Sequence, residues 1–392
     1  MTNTASRTSK TSGTSRPSET SKTSRTKKAD KAVTLADVAR EAGTSTAVVS
    51  YVINDGPRPV AAATREKVLT AAAELGYRPN RIARALRSRT TDVVGLVLAD
   101  ASNPYFAALA RHIERALDAH GKLTLIGNAG YAADRQRDLV ERFLAAQVDG
   151  LVIVSADGGT DVAAQAEASG VPAVYVHHRP ADGITPVVEP DHDTTVRQAV
   201  THLRDAHGHQ RIAFLTGPDD SGPVGRRRDA WHTTLAGTDS VLLRSGYART
   251  EAAALTRRLI ADGTMPEALI TATDEQAIGV LAGAWAAGLR VPDHLAVISL
   301  DGTPDSACTA PALTVVRQPL RTMADRAVGL LLGHTSAPST GDPAHAELVV
   351  RRSCGCAHDE NGPGENGAGE NGPGENGPGE NGVEEHPNEN RR

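Results

Sequence analysis

The sequence predicts an α/β protein in which a small, basic helical module precedes a larger acidic body. Three short helical patterns fill residues 32–78, and glycine or proline stands at the breaks between them. Residues 92–356 then alternate short β-branched runs with amphipathic helical patterns, in two successive blocks. Strand-helix alternation in two blocks is typical of two doubly wound, mainly parallel subdomains.

The first two helices have the pattern of a helix-turn-helix motif. Thr34 and Asp37 have the spacing of a capping box, and Ser45 can cap the second helix. A third helix is predicted after Pro59. The three helices end at turn residues, namely Gly43, the run Asn54-Asp55-Gly56-Pro57, and Gly76. Helix-glycine-helix is a weak signal by itself, since an ordinary helical hairpin has the same pattern.

The acidic body contains eight apolar runs that predict strands. In the first block they are Val93–Leu98, Leu123–Ile126, Leu151–Val154 and Ala173–Val176. In the second block they are Ile212–Leu215, Leu269–Thr271, Leu295–Ser299 and Leu313–Val316. Helices are predicted between them, for example at Tyr105–Ala119 and Asp134–Ala146. Ligands of such folds bind beyond the carboxyl ends of the strands, so we expect a cleft between the two blocks.

Both ends of the chain are predicted to be disordered. Residues 1–31 are basic and rich in Ser and Thr, and residues 357–392 repeat an acidic Glu-Asn-Gly-x-Gly unit. Residues 1–90 carry 17 Lys and Arg against 7 Asp and Glu, although the whole chain has a formal net charge of -5. A basic module ahead of an acidic body suggests a polyanionic partner at one end only.

Composition argues against several classes of protein. No apolar run has the length of about 18–20 residues that a membrane-spanning helix needs. The N-terminus has no apolar core of a signal peptide, and three cysteines cannot form a disulfide framework. We therefore expect a soluble, cytoplasmic protein with no membrane partner.

A family resemblance is carried by three segments in order: TLADVAREAGTSTAVVSYVIN, TREKVLTAAAELGYRPNRIARALRS and DVVGLVLADASNPYF. In these segments, and more loosely to Cys356, the chain resembles the LacI/GalR family of bacterial transcriptional regulators. The resemblance implies a helix-turn-helix headpiece at 32–78, a hinge helix at 79–91, and a periplasmic-binding-protein-like effector and dimerisation domain at 92–356.

The resemblance also assigns DNA contacts. It places Thr46, Ala47 and Tyr51 at base-facing positions of the second helix, where the tyrosine can hydrogen-bond a base edge or contact a thymine methyl. It implies phosphate-positioning roles for Thr34, Ser45, Ser50, Asn54 and Asn80, and minor-groove roles for the hinge residues Arg81, Ala83 and Leu86. Leu86 would be the wedge between base pairs. Thr34 and Ser45 as simple helix caps, and Leu86 as a core leucine, remain alternatives.

Polar and aromatic residues just past strand ends are the candidate effector contacts. By resemblance these are Asn103, Tyr105, Phe106, His177, Arg227, Tyr247, Thr273, Asp274, Asp301 and Gln318. Arg227 and Asp301 can chelate vicinal hydroxyls, and Tyr247 offers an aromatic platform for a sugar face. Residue 177 is often an acid in sugar-reading relatives and residue 273 is usually Asn or Asp, so the effector stays open. For each residue, helix capping or a surface charge is the alternative.

Two patterns could indicate other chemistry. Cys354-Gly355-Cys356 with His358 suggests a metal site, but the thiol pair lacks a second ligand pair at zinc-finger spacing. His177-His178 suggests acid-base chemistry, but no nucleophile or paired-carboxylate motif accompanies it. We therefore expect no cofactor, no metal and no enzymatic activity.

The function implied is that of a dimeric DNA-binding regulator, most simply a repressor, which binds a near-palindromic operator and responds to a sugar-like effector. A solute-binding protein and a sugar-processing enzyme are the alternatives. Solute-binding proteins do not carry a helix-turn-helix headpiece, which this sequence has. A sugar-processing enzyme would need catalytic residues. Repressor or activator, induction or co-repression, and dimer or tetramer are left open by the residues.

Overall fold

A computed structural model describes residues 33–54, 56, 58–79, 85, 90–154, 161–178, 185–219, 222–334 and 344–357. The chain divides into two compact units, Met1–Ala83 and Arg84–Arg392. The two tails predicted to be disordered lie outside the described residues, apart from Ala357. So do Asn80, Arg81, Ala83 and Leu86 of the predicted hinge helix.

The described part of the first unit contains three helices: α1 (Leu35–Glu41), α2 (Thr46–Ile53) and α3 (Ala62–Glu74). Their apolar faces meet in a small core of Val38, Ala39, Val49, Val52, Val68, Ala71 and Ala72. α1 and α2 are separated by a short turn at Gly43, whose φ of +62° lies in the left-handed region that glycine adopts without strain. This arrangement confirms the helix-turn-helix pattern followed by a third helix.

The first sheet of the second unit has five parallel strands in the order β2-β1-β3-β4-β5. They are β1 (Val93–Leu98), β2 (Leu123–Asn128), β3 (Gly150–Val154), β4 (Ala173–Val176) and β5 (Val187–Val188). The intervening helices are α4 (Pro104–Asp118), α5 (Ala133–Ala145) and α6 (Asp161–Ala168). The central strands β1, β3 and β4 are almost wholly buried, as expected for a sheet covered on both faces.

The second sheet has six strands in the order β11-β10-β9-β8-β6-β7, and only β11 runs antiparallel to its neighbour. They are β6 (Ile212–Thr216), β7 (Leu242–Arg244), β8 (Ala268–Thr271), β9 (Ala296–Ser299), β10 (Thr314–Arg317) and β11 (Glu347–Val349). The helices are α7 (His192–Thr201), α8 (Gly222–Thr234), α9 (Arg249–Ala261) and α10 (Asp274–Ala286). α7 continues into a π-helical turn at His202–Ala206.

The chain crosses between the two sheets more than once. Helix α11 (Leu320–Leu331) follows the second sheet in sequence, yet Met323, Ala327 and Val328 belong to the core of the first. The chain then returns to the second sheet as β11 and ends its described part in a 3-10 turn at Arg352–Cys354. Such crossings join the two subdomains into one unit with a cleft between them.

The eight predicted strands are all confirmed, with ends that shift by two residues at most. The strands that the sequence did not predict are β5, β7 and β11. They contain only two or three residues each, which is too short a run for a hydrophobic pattern to be distinguished from a loop.

Candidate ligand cleft and nucleic-acid interface

A cleft with about 50 Å³ of internal space lies beyond the carboxyl ends of strands from both sheets and is partly open to solvent. Its walls come from loops after β1, β2 and β4 on one side, and after β7, β8 and β9 together with α8 on the other. Eight of the ten predicted contact residues line it: Asn103, Tyr105, Phe106, His177, Arg227, Tyr247, Thr273 and Asp301. The structure thus brings together residues that are up to 198 positions apart in the chain.

The Arg227 guanidinium is the main polar group of the cleft. It is only 1% exposed, and its Nη1 donates to the Ala272 carbonyl at 2.5 Å and to Asp301 Oδ1 at 3.1 Å. Its Nε and Nη2 have no hydrogen-bond partner among the residues that the structure describes. A buried donor without a partner costs free energy, so these two nitrogens favour a polar ligand in the cleft.

Asp301 shares this environment. Its Oδ2 accepts a hydrogen bond from the Asp274 backbone N–H at 3.1 Å, and its Oδ1 accepts from Arg227. Burial raises the pKa of the Asp301 carboxyl to about 6, although the Arg227 charge opposes this shift. At neutral pH the carboxyl is mainly ionised, and it can accept hydrogen bonds from ligand hydroxyls.

Asp274 anchors a loop and does not line the cleft. Its Oδ1 accepts from the Ser299 hydroxyl at 2.5 Å, and its Oδ2 accepts from the Thr303 backbone N–H at 2.6 Å and the Thr303 hydroxyl at 2.7 Å. Gln318 is also absent from the lining, and its Nε2 donates to the Leu300 carbonyl at 2.7 Å. These two side chains hold the loop after β9, which positions Asp301.

His177 and Tyr105 form the opposite wall. His177 directly follows β4, with a φ of +78° that non-glycine residues rarely adopt. Its Nδ1 lies 3.0 Å from the Tyr105 hydroxyl oxygen. Burial, followed by the charge of Arg227, lowers the pKa of His177 well below its usual value. Burial raises the pKa of Tyr105, so both groups are neutral hydrogen-bonding groups at physiological pH.

Three aromatic rings of the cleft lining contact one another. Tyr131 and Tyr247 stack with their ring centroids 6.1 Å apart, and Phe106 packs edge-on against Tyr131 at 6.3 Å. Tyr131 was not among the predicted contacts, and neither were Pro223 and Val224, which also line the cleft. Stacked aromatic rings next to hydrogen-bonding groups are well suited to a ligand that has both apolar and polar faces.

Two further lining residues are helix caps. The Asn103 side chain accepts from the Tyr105 N–H at 2.9 Å at the start of α4, and the Thr273 hydroxyl accepts from the Gln276 N–H at 3.3 Å at the start of α10. The cleft therefore lies at the N-termini of two helices. Capping, the simpler alternative, and cleft lining are combined in the same residues.

The second helix of the first unit presents a polar face. Thr46 and Ala47 are exposed and Tyr51 is half-buried, whereas Val49 and Val52 on the other face are buried. The guanidinium carbon of Arg58 lies 5.8 Å from the Tyr51 ring centroid, over its face. The three predicted base-facing residues thus share the accessible side of α2.

The predicted phosphate-positioning residues cap and close the same helices. Thr34 forms a complete capping box with Asp37, and the Ser45 hydroxyl accepts from the Val48 N–H at 3.3 Å. At the other end of α2, the Asn54 side-chain amide donates to the Ser50 carbonyl at 2.9 Å. Capping is therefore observed for Thr34 and Ser45, and their phosphate contacts remain predictions, as do those of Ser50 and Asn54.

Comparison with known proteins agrees with both parts of the molecule. Residues 34–80 match the family described as bacterial regulatory proteins, lacI family, and residues 200–354 match a periplasmic binding protein-like domain. The chain is 34% identical to catabolite control protein A of Priestia megaterium over 306 residues, which are 76% of this chain and 91% of that protein.

Two solved structures are similar over most of the chain. One is the Lac repressor dimer bound to operator and the anti-inducer ONPF, with a TM-score of 0.71 and 30% identity over 83% of this chain and 99% of that one. The other is the transcriptional regulator CelR in complex with cellobiose, with a TM-score of 0.58 and 28% identity over 82% of this chain and 99% of that one.

The chain belongs to the LacI family of DNA-binding transcriptional regulators. It is a regulator rather than an enzyme, and it joins a helix-turn-helix region to a periplasmic-binding-protein-like α/β domain. In the described ranges, no helix has both the length and the apolar character to cross a membrane.

Proposed function

We propose that this regulator is a dimeric repressor that binds a near-palindromic operator and is switched by a sugar or a similar polyhydroxylated effector. It acts in the cytoplasm, where chromosomal DNA lies. The dimer and the operator geometry are supported by the Lac repressor structure, which was solved as a dimer on its operator. A sugar ligand is supported by the CelR complex with cellobiose.

The observation that carries the effector proposal is the arrangement of Arg227 and Asp301. A buried guanidinium with two nitrogens, Nε and Nη2, that have no partner among the described residues lines a cleft in which a carboxylate is also buried. Adjacent hydroxyls of a sugar both donate and accept, so they can satisfy the guanidinium and the carboxylate together. Tyr131 and Tyr247 then offer apolar surface to the C–H face of the ring.

Effector binding would change the relative angle of the two sheets, because the cleft lining comes from both. A ligand shifts such an equilibrium only by its difference in affinity for the two angles. The hinge residues 79–91 connect this change to the headpiece in the proposal. Whether the ligand releases or promotes operator binding then depends on which angle it prefers.

The experiment is an operator-binding assay on the DNA that adjoins the protein's own gene. Fluorescence anisotropy with the full chain should show tight binding to one fragment, and a candidate sugar should shift the binding curve. The control is a scrambled fragment of equal length, measured at the same salt concentration, because non-specific binding follows phosphate charge alone. Two results together would contradict the proposal. The protein would bind both fragments with equal affinity, and no sugar in a panel would shift either its binding curve or its melting curve.

A further inference from the structure

Four metal-ligating side chains meet at the C-terminal end of the described chain, away from the cleft lining. His202 begins the π-helical turn after α7 and His207 directly follows that turn, whereas Cys354 ends the 3-10 turn after β11 and Cys356 lies two residues further on. Their ligand atoms, two imidazole nitrogens and two sulfurs, all lie within 4.8 Å of one another. Cys354 is buried and the other three are half-buried.

Four of the six distances between ligand atoms match the edges of a tetrahedron around zinc, and the other two are within 4.8 Å. Zn–N bonds of about 2.05 Å and Zn–S bonds of about 2.3 Å at tetrahedral angles give edges of about 3.3 Å for N–N and about 3.6 Å for N–S. The two Nε2 atoms are 3.3 Å apart, and His202 Nε2 lies 3.3 Å from Cys354 Sγ. Cys356 Sγ lies 3.7 Å from His202 Nε2 and 3.4 Å from His207 Nε2.

The helix geometry brings the two histidines together. Residues five apart lie on different faces of an α-helix, because one turn takes 3.6 residues. The wider π turn, with its i→i+5 hydrogen bonding, returns the fifth residue to the side of the first. The turn His202–Ala206 thus places His207 beside His202, with their ring centroids 5.0 Å apart.

The cysteine turn is shaped for close approach. Gly355 has a φ of +111°, and a Cβ at this position would lie 3.1 Å from His207 Nδ1. The Thr314 hydroxyl lies 3.1 Å from Cys354 Sγ and accepts from the Arg351 N–H at 2.9 Å, so its own proton can point at the sulfur. A hydrogen bond from a neighbouring hydroxyl is the kind of support that metal-bound thiolates commonly receive.

We propose that His202, His207, Cys354 and Cys356 form a tetrahedral zinc site. Two thiolates cancel the charge of Zn²⁺, and the thiol protons are released on binding. Soft sulfur with imidazole nitrogen selects zinc over magnesium or calcium. A full set of four protein ligands defines a structural site, which here ties the 3-10 turn at Arg352–Cys354 to the end of α7.

This proposal revises the expectation from the sequence that the protein carries no metal. The Cys354–Cys356 pair does have a second ligand pair, because His202 and His207 have H-x4-H spacing, which is common in zinc sites. His202 lies 152 residues before Cys354, so the sequence offered no local motif. His358, the histidine that the sequence placed beside the thiols, lies outside the described residues.

The test measures metal in the full, tag-free chain purified with a reductant. We expect inductively coupled plasma mass spectrometry to find about one zinc ion per chain. Replacement by Co²⁺ should give intense visible bands of tetrahedral geometry and a thiolate-to-cobalt band in the near ultraviolet. Cys356→Ser and His207→Asn should lower the zinc content to traces. The matched controls Cys308→Ser and His209→Asn should retain it, because neither residue belongs to the cluster.

Stability gives a second measurement that does not depend on the variants' yield. A strong chelator should lower the melting temperature of the parent chain and leave that of Cys356→Ser almost unchanged, since a structural metal stabilises only the folded state. Three results would overturn the proposal: a parent chain that takes up neither zinc nor Co²⁺, full zinc retention in Cys356→Ser, or a Cys354–Cys356 disulfide in protein kept under reductant.

Discussion

Arg227 and Asp301 show how single side chains can prepare a cleft for a ligand. The guanidinium is held by one nitrogen on the Ala272 carbonyl and on Asp301, which leaves Nε and Nη2 for other acceptors. Because burial raises the pKa of Asp301 to about 6, the ionisation state of this pair changes within an accessible pH range.

We predict that effector affinity falls as the pH is lowered from about 7.5 to about 5. Protonation of Asp301 removes the carboxylate charge and part of its capacity to accept hydrogen bonds, and hydrogen bonds to charged groups contribute roughly 1.5–3 kcal/mol. Burial lowers the pKa of His177 well below its usual value, so acidification protonates this residue less readily than an ordinary histidine. Calorimetric titrations at several pH values measure the effect.

Asp301→Asn is the matched control, since it keeps the shape of the side chain without its titration. Its effector affinity should be low and almost independent of pH in this window. Proton linkage also predicts the direction in which pH changes the contribution of Asp301 to folding stability. The folded pKa of about 6 lies above the ordinary 3.8, so the contribution of Asp301 to stability is full below 3.8 and is lost as the pH rises through 6. An affinity that rises on acidification would contradict this account.

Among the predicted base-facing residues, Tyr51 combines a hydroxyl that can hydrogen-bond a base edge with a ring that can contact a thymine methyl. We expect Tyr51→Ala to weaken specific operator binding by about 1–3 kcal/mol per half-site and to leave binding to scrambled DNA nearly unchanged. Anisotropy titrations on both DNAs measure this difference. A uniform loss on all DNA together with a lower melting temperature would show instead that the half-buried ring mainly supports the headpiece.

At the residue scale, the sequence could locate strand ends but not the direction in which each side chain points. Eight of the ten expected contacts line the cleft, because polar residues after parallel strands collect at one edge. Asp274 follows β8 in the same manner, yet it turns back to Ser299 and Thr303. Tyr131 was missed because it follows Gly130 in a loop, with a φ of +58° that no pattern indicates.

At the element scale, a tight packing contact links β6 to the aromatic platform. Gly217 directly follows β6, and a Cβ there would lie 2.6 Å from the Tyr247 ring carbon that bears the hydroxyl. A side chain at position 217 would therefore overlap the Tyr247 ring and force the ring to move. The backbone after β6 therefore helps to place Tyr247 against Tyr131.

We predict that Gly217→Ala weakens effector binding and leaves operator binding without effector close to that of the parent chain. The added methyl group displaces the Tyr247 ring from the cleft, whereas the headpiece is a separate unit. Calorimetry with the effector and anisotropy with the operator measure the two affinities on one preparation. Unchanged effector affinity would mean that Tyr247 does not contact the ligand.

The elements themselves were largely predictable because their hydrophobic patterns are strong. The eight long strands and the three headpiece helices were all found from periodicity and turn residues. The π turn at His202–Ala206 was not, since a π turn follows from tertiary packing and has no composition of its own. For that reason the pairing of His202 with His207 became visible only in the folded chain.

At the scale of the whole molecule, charge and function divide in the same way. Residues 1–90 carry the excess of Lys and Arg, and the effector domain carries most of the acidic residues. The excess of positive charge thus lies in the N-terminal part of the chain, and the cleft belongs to the second unit. Most residues of the proposed hinge helix, 79–91, lie outside the described residues. Its role in connecting the two units is therefore tested by binding measurements on variants.

The central claim is that ligand recognition and DNA binding reside in separable residues of one chain. Arg227→Lys tests this most directly, because lysine keeps a positive charge beside Asp301 but loses the planar set of donors. Effector and operator are titrated, by calorimetry and anisotropy, on the parent chain, Arg227→Lys and Leu86→Ala. We predict that Arg227→Lys binds operator like the parent and loses about tenfold to hundredfold in effector affinity. Leu86→Ala should show the reverse. An Arg227→Lys variant that responds normally to effector, or that loses operator binding while still folded, would contradict the account.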